Sequence, residues 1–177
     1  MLGSELTNHF KTDLAHSDQF IGILGAEEVK TALRRASNRT FCVVNVDRTS
    51  GEGTHWYCVF KHAPYCYDLM DSLGVSEEEV KSRLGKIKSC FFNETRVQAE
   101  NSALCGPFCA YFVFCRLTNF DMTFNEVFAE SFTSNLATNE KIVAHFWETG
   151  EISEDVHSLS ETSLTTSIAG RACASAR

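Results

Sequence analysis

A cysteine, a histidine, a carboxylate and a glutamine stand in this chain in an order and spacing able to run acyl transfer. Cys105 follows the polar run Gln98-Ala-Glu-Asn101-Ser102-Ala-Leu and opens the apolar stretch Gly106-Pro107-Phe108-Cys109. A thiol attacks a carbonyl as thiolate, a form favoured by the unpaired N–H groups of a helix N-terminus or by a neighbouring imidazolium. Pro107 suits a first helical turn, where a missing N–H costs nothing, and Gly106 leaves room for a substrate backbone. Gln98, seven residues before Cys105, can donate its side-chain amide to an oxyanion together with the Cys105 N–H. His55 follows Gly51-Glu52-Gly53, adjoins Trp56 and falls on a predicted strand that would hold it rigidly as general base. Gly51, Gly53 and Trp56 would line a narrow, backbone-reading cleft for substrate.

An acid must orient that imidazole and stabilise its charged form. Asp68 and Asp71 share the extended run Tyr65–Asp71, and residues three apart on a strand point to opposite faces, so only one of them can serve. Asp71 is preferred because it ends the run, just before Ser72-Leu73-Gly74; Asp68 is the alternative. Taken singly, each of these residues has a plainer reading: a cysteine on a buried helix is usually a small apolar side chain, and a glutamine before a loop is usually solvated. Their conjunction carries the chemistry. No C-x-x-C pair occurs, Cys105 and Cys109 lie four apart on one predicted helix, and Gly51-Glu-Gly53 lacks the lysine of a phosphate loop. No metal site is expected.

The 177 residues are 44% hydrophobic, with fourteen phenylalanines and two prolines, enough for one domain with a dense aromatic core. A net charge of −7 offers no broad electrostatic footprint for nucleic acid. Eight cysteines without an apolar leader at Met1-Leu-Gly-Ser-Glu-Leu-Thr, and without a stretch long enough to span a bilayer, point to an intracellular or in-particle setting with reduced thiols, neither secreted nor in a membrane.

The elements expected to position the catalytic residues follow from pattern. Residues 5–15 and Ala26–Ala36 read as helices, the second with acids early and bases late. Thr40–Val46, His55–Lys61 and Tyr65–Asp71 read as neighbouring strands, with a turn over Arg48–Gly53. Ser76-Glu-Glu-Glu79 is a capping box opening a short helix, and Cys90–Gln98 reads as a further strand ending on the glutamine. Ala103–Leu117 is apolar on nearly every side and should be a buried central helix, with helices over Thr123–Leu136 and Glu140–Trp147 beyond it. From Gly150 the composition shifts to Ser, Thr, Glu and Ala. The expected organisation is an α+β catalytic domain over 1–149 and a mobile tail over 150–177.

Several of these segments resemble the adenovirus-type (adenain-like) cysteine endopeptidases, over most of the chain up to Leu117. Gly53-Thr-His55-Trp56 matches that family's Gly-x-His-Trp motif, and Gln98-Ala-Glu-Asn101-Ser102-Ala-Leu-Cys105-Gly106 matches its Gln-x-x-Asn-Ser-x-x-Cys-Gly motif, glutamine spacing included. Gly3-Ser-Glu-Leu6 with Phe20-Ile-Gly22 is similar to its opening, Cys42-Val-Val-Asn45 to its first core strand, and Cys66–Gly74 to the segment carrying its acid. Asp71-Ser72 stands where the viral enzymes usually carry Glu-Pro and looks more like the SUMO-type deconjugases, which share the fold and the His–Asp–Gln–Cys order.

The resemblance implies a papain-like α+β fold, with a mostly antiparallel or mixed sheet packed on helices and the nucleophile at the N-terminus of a buried helix. It implies catalytic roles for His55, Asp71, Gln98 and Cys105. The implied activity is cleavage of precursor proteins at Gly-containing sites during maturation of a virus or virus-like transposon, in the host nucleus or particle. A deconjugase of a ubiquitin-like protein is the alternative, and a dead protease fold retained as a binding module a lesser one. The chemistry needs no cofactor. Family members are activated by DNA, which the −7 charge argues against here, and by a short basic peptide joined through a disulfide. Cys90 lies near the position of that disulfide, so the resemblance offers Cys173, in the Arg-flanked tail, as an activator in cis through Cys90–Cys173.

Overall fold

The computed structural model describes residues 3–13, 17–47 and 53–152. Its centre is a five-stranded mixed sheet: β1 (Phe20–Gly25), β2 (Thr40–Asn45), β3 (Trp56–Ala63), β4 (Cys66–Met70) and β5 (Ser89–Phe92), hydrogen-bonded in that spatial order. The inner pairs β2–β3 and β3–β4 are antiparallel, and the outer pairs β1–β2 and β4–β5 are parallel. Parallel neighbours require crossovers, which are supplied by α2 (Val29–Arg35) and α3 (Glu77–Leu84). The remaining helices are α1 (Gly3–Asn8), wound more loosely over His9–Asp13, then α4 (Cys105–Thr118), α5 (Phe124–Ser131) and α6 (Leu136–Thr149).

Strand alternation splits the core in two. Trp56, Cys58 and Phe60 of β3, with Phe41, Val43 and Met70, face α1, α4, α5 and α6. Tyr57 and Val59, with Cys42, Val44, Tyr67 and Leu69, face Val29 and Leu33 of α2 and Val80 and Leu84 of α3. Both faces of β2 and β3 are therefore covered, which is why their sequences run almost continuously apolar. Helix α4 is buried around nearly its whole circumference, as its composition predicts.

Four expectations needed correction. β1 has no counterpart in the pattern reading; Gly22 interrupts the run with a bulge and φ of 144°, and no alternation marks it. The Cys90–Gln98 strand stops at Phe92, because the Asn93 side chain takes the backbone groups that a ladder would use, pairing Asp71 N–H, Asp71 C=O and Thr95 C=O. The helix over Thr123–Leu136 ends at Ser131, and a new one starts behind the Asn135 cap. His55 immediately precedes β3, its C=O accepting from Val46 N–H at 3.0 Å beyond the Asn45–Trp56 rung. The capping box on Ser76 and Glu79 is formed as expected. Among the described residues no helix is long and apolar enough to cross a membrane, and no group of His, Cys, Asp and Glu side chains could hold a metal ion.

Candidate active site

His55, just before β3, meets Asp71, just after β4, near Cys105 at the start of α4, and Gln98 is tied to Ser72, the residue after Asp71. Asp71 Oδ1 lies 2.7 Å from His55 Nε2 and also accepts from Leu73 N–H at 3.0 Å. The Cys105 thiol lies close enough to the His55 ring to favour its charged form. With Nε2 committed to Asp71, Nδ1 is the ring nitrogen left to face the sulfur. Burial works to discharge the imidazole, but the hydrogen bond and charge of Asp71, together with the neighbouring Cys105, outweigh it and raise the His55 pKa to about 9. Burial likewise pushes the Asp71 carboxyl up, and the contacts with His55 and then Arg83 reverse this, holding it below its ordinary value.

Arg83, missed by the sequence reading, donates to Asp71 Oδ2 at 2.6 Å and stacks 4.6 Å over the Tyr57 ring. Its signal was its place in the last turn of the capping-box helix, between the buried Val80 and Leu84. Asn93 was also missed. It clamps Asp71 from both sides, accepting from its N–H at 3.0 Å and donating to its C=O at 2.6 Å. An asparagine directly after a strand is the sort of residue that hydrogen-bonds backbone in place of the ladder.

Cys105 is the first residue of α4 and 7% exposed, so its N–H has no acceptor within the helix and is free to point at a ligand. Gln98 is 2% exposed and sits on the loop between β5 and α4 rather than at a strand end. Its Nε2 donates to Ser102 C=O at 2.8 Å, and its Oε1 accepts from the Ser72 hydroxyl. From the other side, Asn139 of α6 donates to Val97 C=O at 3.0 Å, and Glu140 accepts from Ala99 N–H at 3.1 Å. The glutamine is thus held by the turn after β4 and by its own loop, and its neighbours Val97 and Ala99 are held by α6.

Gly53 has φ of +80°, and a Cβ there would stand 2.4 Å from the Trp56 ring, so glycine is required. Trp56 itself is 3% exposed and belongs to the α4-side core; it backs Gly53 instead of offering a face to substrate. Gly51 and Cys173 lie outside the described residues, as does the chain beyond Ile152. Cys90 is fully buried between β5 and the α2–α3 layer, so a Cys90–Cys173 bond would require that layer to open.

Asp68, the alternative acid, faces α4 and not α3. There it pairs with His62 at 2.7 Å and with Arg116 at 3.0 Å, both on Oδ2, away from Cys105. Burial raises the Cys42 and Cys109 thiols, which makes them poor nucleophiles beside Cys105. A hollow of about 420 Å³ by Arg34, Lys61 and Tyr65 lies on the α2 side, remote from these groups. No model of a known protein family matches this chain, and no curated protein matches it either.

Proposed function

We propose that this protein is a cysteine-type endopeptidase with Cys105 as nucleophile. The observation that carries the reading is the His55 ring on Asp71 Oδ1 with the Cys105 thiol nearby, and the Gln98 amide at the turn leading into Cys105. The attacking species is the thiolate, a form that a neighbouring imidazolium favours. Sulfur attacks the scissile carbonyl carbon, a C–S bond forms, and the C=O π pair moves onto oxygen, where the Cys105 N–H and a Gln98 N–H stabilise it. Collapse re-forms the carbonyl and breaks the C–N bond, and the departing amine takes the proton from His55. Water then adds to the thioester with His55 as base, the C–S bond breaks, and acid is released with the thiol regenerated.

The preferred substrates are precursor proteins cut at Gly-containing sites during maturation of a virus or virus-like element, a reading supported by the motif resemblance. A ubiquitin-like deconjugase is the second reading, favoured by one observation: Asp71-Ser72 replaces Glu-Pro, and Ser72 is engaged with Gln98. Cleavage of a fluorogenic Leu-Xaa-Gly-Gly peptide under reducing conditions tests the chemistry. Wild type is expected to cut and Cys105→Ala to show no turnover with its fold intact, alanine being at home in a helix. Residual cleavage by Cys105→Ala would refute the nucleophile. A folded Gly-Gly fusion cut far faster than the peptide would favour the deconjugase.

A further inference from the structure

We infer that Ser72 is a positioning residue, whose hydroxyl anchors the Gln98 amide and polarises its N–H toward the scissile oxygen; the inference rests on the protease reading above. Ser72 is wholly buried and follows Asp71 directly. Its hydroxyl donates to Gln98 Oε1, and its carbonyl accepts from Val97 N–H at 2.9 Å and Gln98 N–H at 3.0 Å. One residue therefore holds the glutamine by both backbone and side chain.

An amide presents two ends of similar size and opposite polarity. With nitrogen toward the scissile oxygen it stabilises developing negative charge; with oxygen there it repels it. A carbonyl can only accept, so Ser102 C=O, 2.8 Å from Nε2, sets the sense in which Gln98 lies. The Ser72 hydroxyl holds the other end in place. Donation to Oε1 also draws electron density through the amide, making the N–H groups better donors. Nε2 carries two hydrogens, and among the described residues Ser102 C=O takes only one. The second is available to an oxyanion. Since Gln98 is 2% exposed, water has no ready access to replace the Ser72 donor. Asp71 and Ser72 thus divide the work of one turn, the first holding the base and the second the oxyanion donor.

The test uses Ser72→Ala with the fluorogenic Leu-Xaa-Gly-Gly peptide. We expect kcat to fall about tenfold with KM within about twofold of wild type, a smaller loss than the roughly hundredfold cost of deleting an oxyanion donor outright. Alkylation of Cys105 by iodoacetamide builds no oxyanion, so its rate and pH profile should not change. Ser72→Cys, nearly isosteric and a weak donor, should fall between the two, and it carries the comparison if Ser72→Ala does not fold. Because Ser72 acts through Gln98, Ser72→Ala/Gln98→Ala should be no slower than Gln98→Ala alone. Wild-type kcat in Ser72→Ala, additive losses in the double variant, or a parallel loss of alkylation would each overturn the inference. A wild-type protein that alkylates at Cys105 but cuts no substrate would sink the protease reading and take this inference with it.

Discussion

At the scale of the residue, the site is a problem of charge placement in a partly buried volume. His55 is 16% exposed, and burial alone would discharge it; the Asp71 carboxylate on one side and the Cys105 sulfur on the other keep it protonated to about pH 9. A folded-state pKa above the ordinary 6.5 means the charged pair contributes its full stabilisation below pH 6.5 and loses it as pH rises through about 9. In the proposed mechanism His55 gives a proton to the leaving amine, so kcat/KM for peptide cleavage is expected to fall above about pH 9. For Asp71 the sign is opposite. Its depressed pKa makes its contribution present above the ordinary 3.8 and lost as pH falls through the lower folded value. Asp71→Asn removes the carboxylate charge, so the alkaline limb should move to lower pH while kcat/KM drops about a hundredfold or more. An unmoved limb would show that Asp71 does not act through His55. Among the thiols, iodoacetamide should modify native Cys105 well before Cys42 and Cys109, whose burial works against the thiolate. Mass mapping of native and unfolded protein checks this order.

At the scale of the element, the strands and helices that carry the candidate site hold its residues at their ends: His55 before β3, Asp71 after β4, Cys105 at the start of α4. The ends at Asp71 and Cys105 were legible in the sequence, because strand alternation and the apolar run from Ala103 are local signals, whereas His55 was expected within the strand. The Cys105 helix start followed from the change from polar to apolar residues with Pro107 in the first turn, the Asp71 strand end from the Ser72-Leu73-Gly74 that follows it, and the opposed facing of Asp68 from strand period. The stretch from Asn93 to Gln98 was read as strand and was not legible as part of the loop that leads to Cys105. Its conformation depends on side chains from distant segments, Asn93 reaching Asp71 across 22 residues and Asn139 reaching Val97 across 42. Arg83 and Ser72 escaped notice for the same reason, as their partners are visible only in three dimensions. Asn139→Ala should test the bracing of that loop. It leaves Val97 C=O, Thr133 C=O and Thr133 N–H without a partner, at about 1–3 kcal/mol for each buried group. Both Tm and kcat should fall; a variant indistinguishable from wild type would show that the loop holds Gln98 without α6.

At the scale of the molecule, a sheet clad on both faces sets a rigid floor for the site, and the aromatic packing of α4 against α5 and α6 fixes its wall. Phe112 packs 5.5 Å from Phe124 and 6.3 Å from Phe128, ring centre to ring centre. Phe112→Ala should cost about 3–5 kcal/mol in denaturant unfolding, and a loss below about 1 kcal/mol would mean that this layer is not the cooperative core. The same architecture places a histidine, an aspartate and an arginine together twice. The β3–β4 hairpin presents His55 and Asp71 to Arg83 of α3 at one end, and His62 and Asp68 to Arg116 of α4 farther along. Only the first trio meets a thiol among the described residues. The protein therefore contains its own reference: following both imidazoles by NMR in a single pH titration, with and without Cys105→Ala, separates what the sulfur does to a histidine from what an aspartate and an arginine do without it.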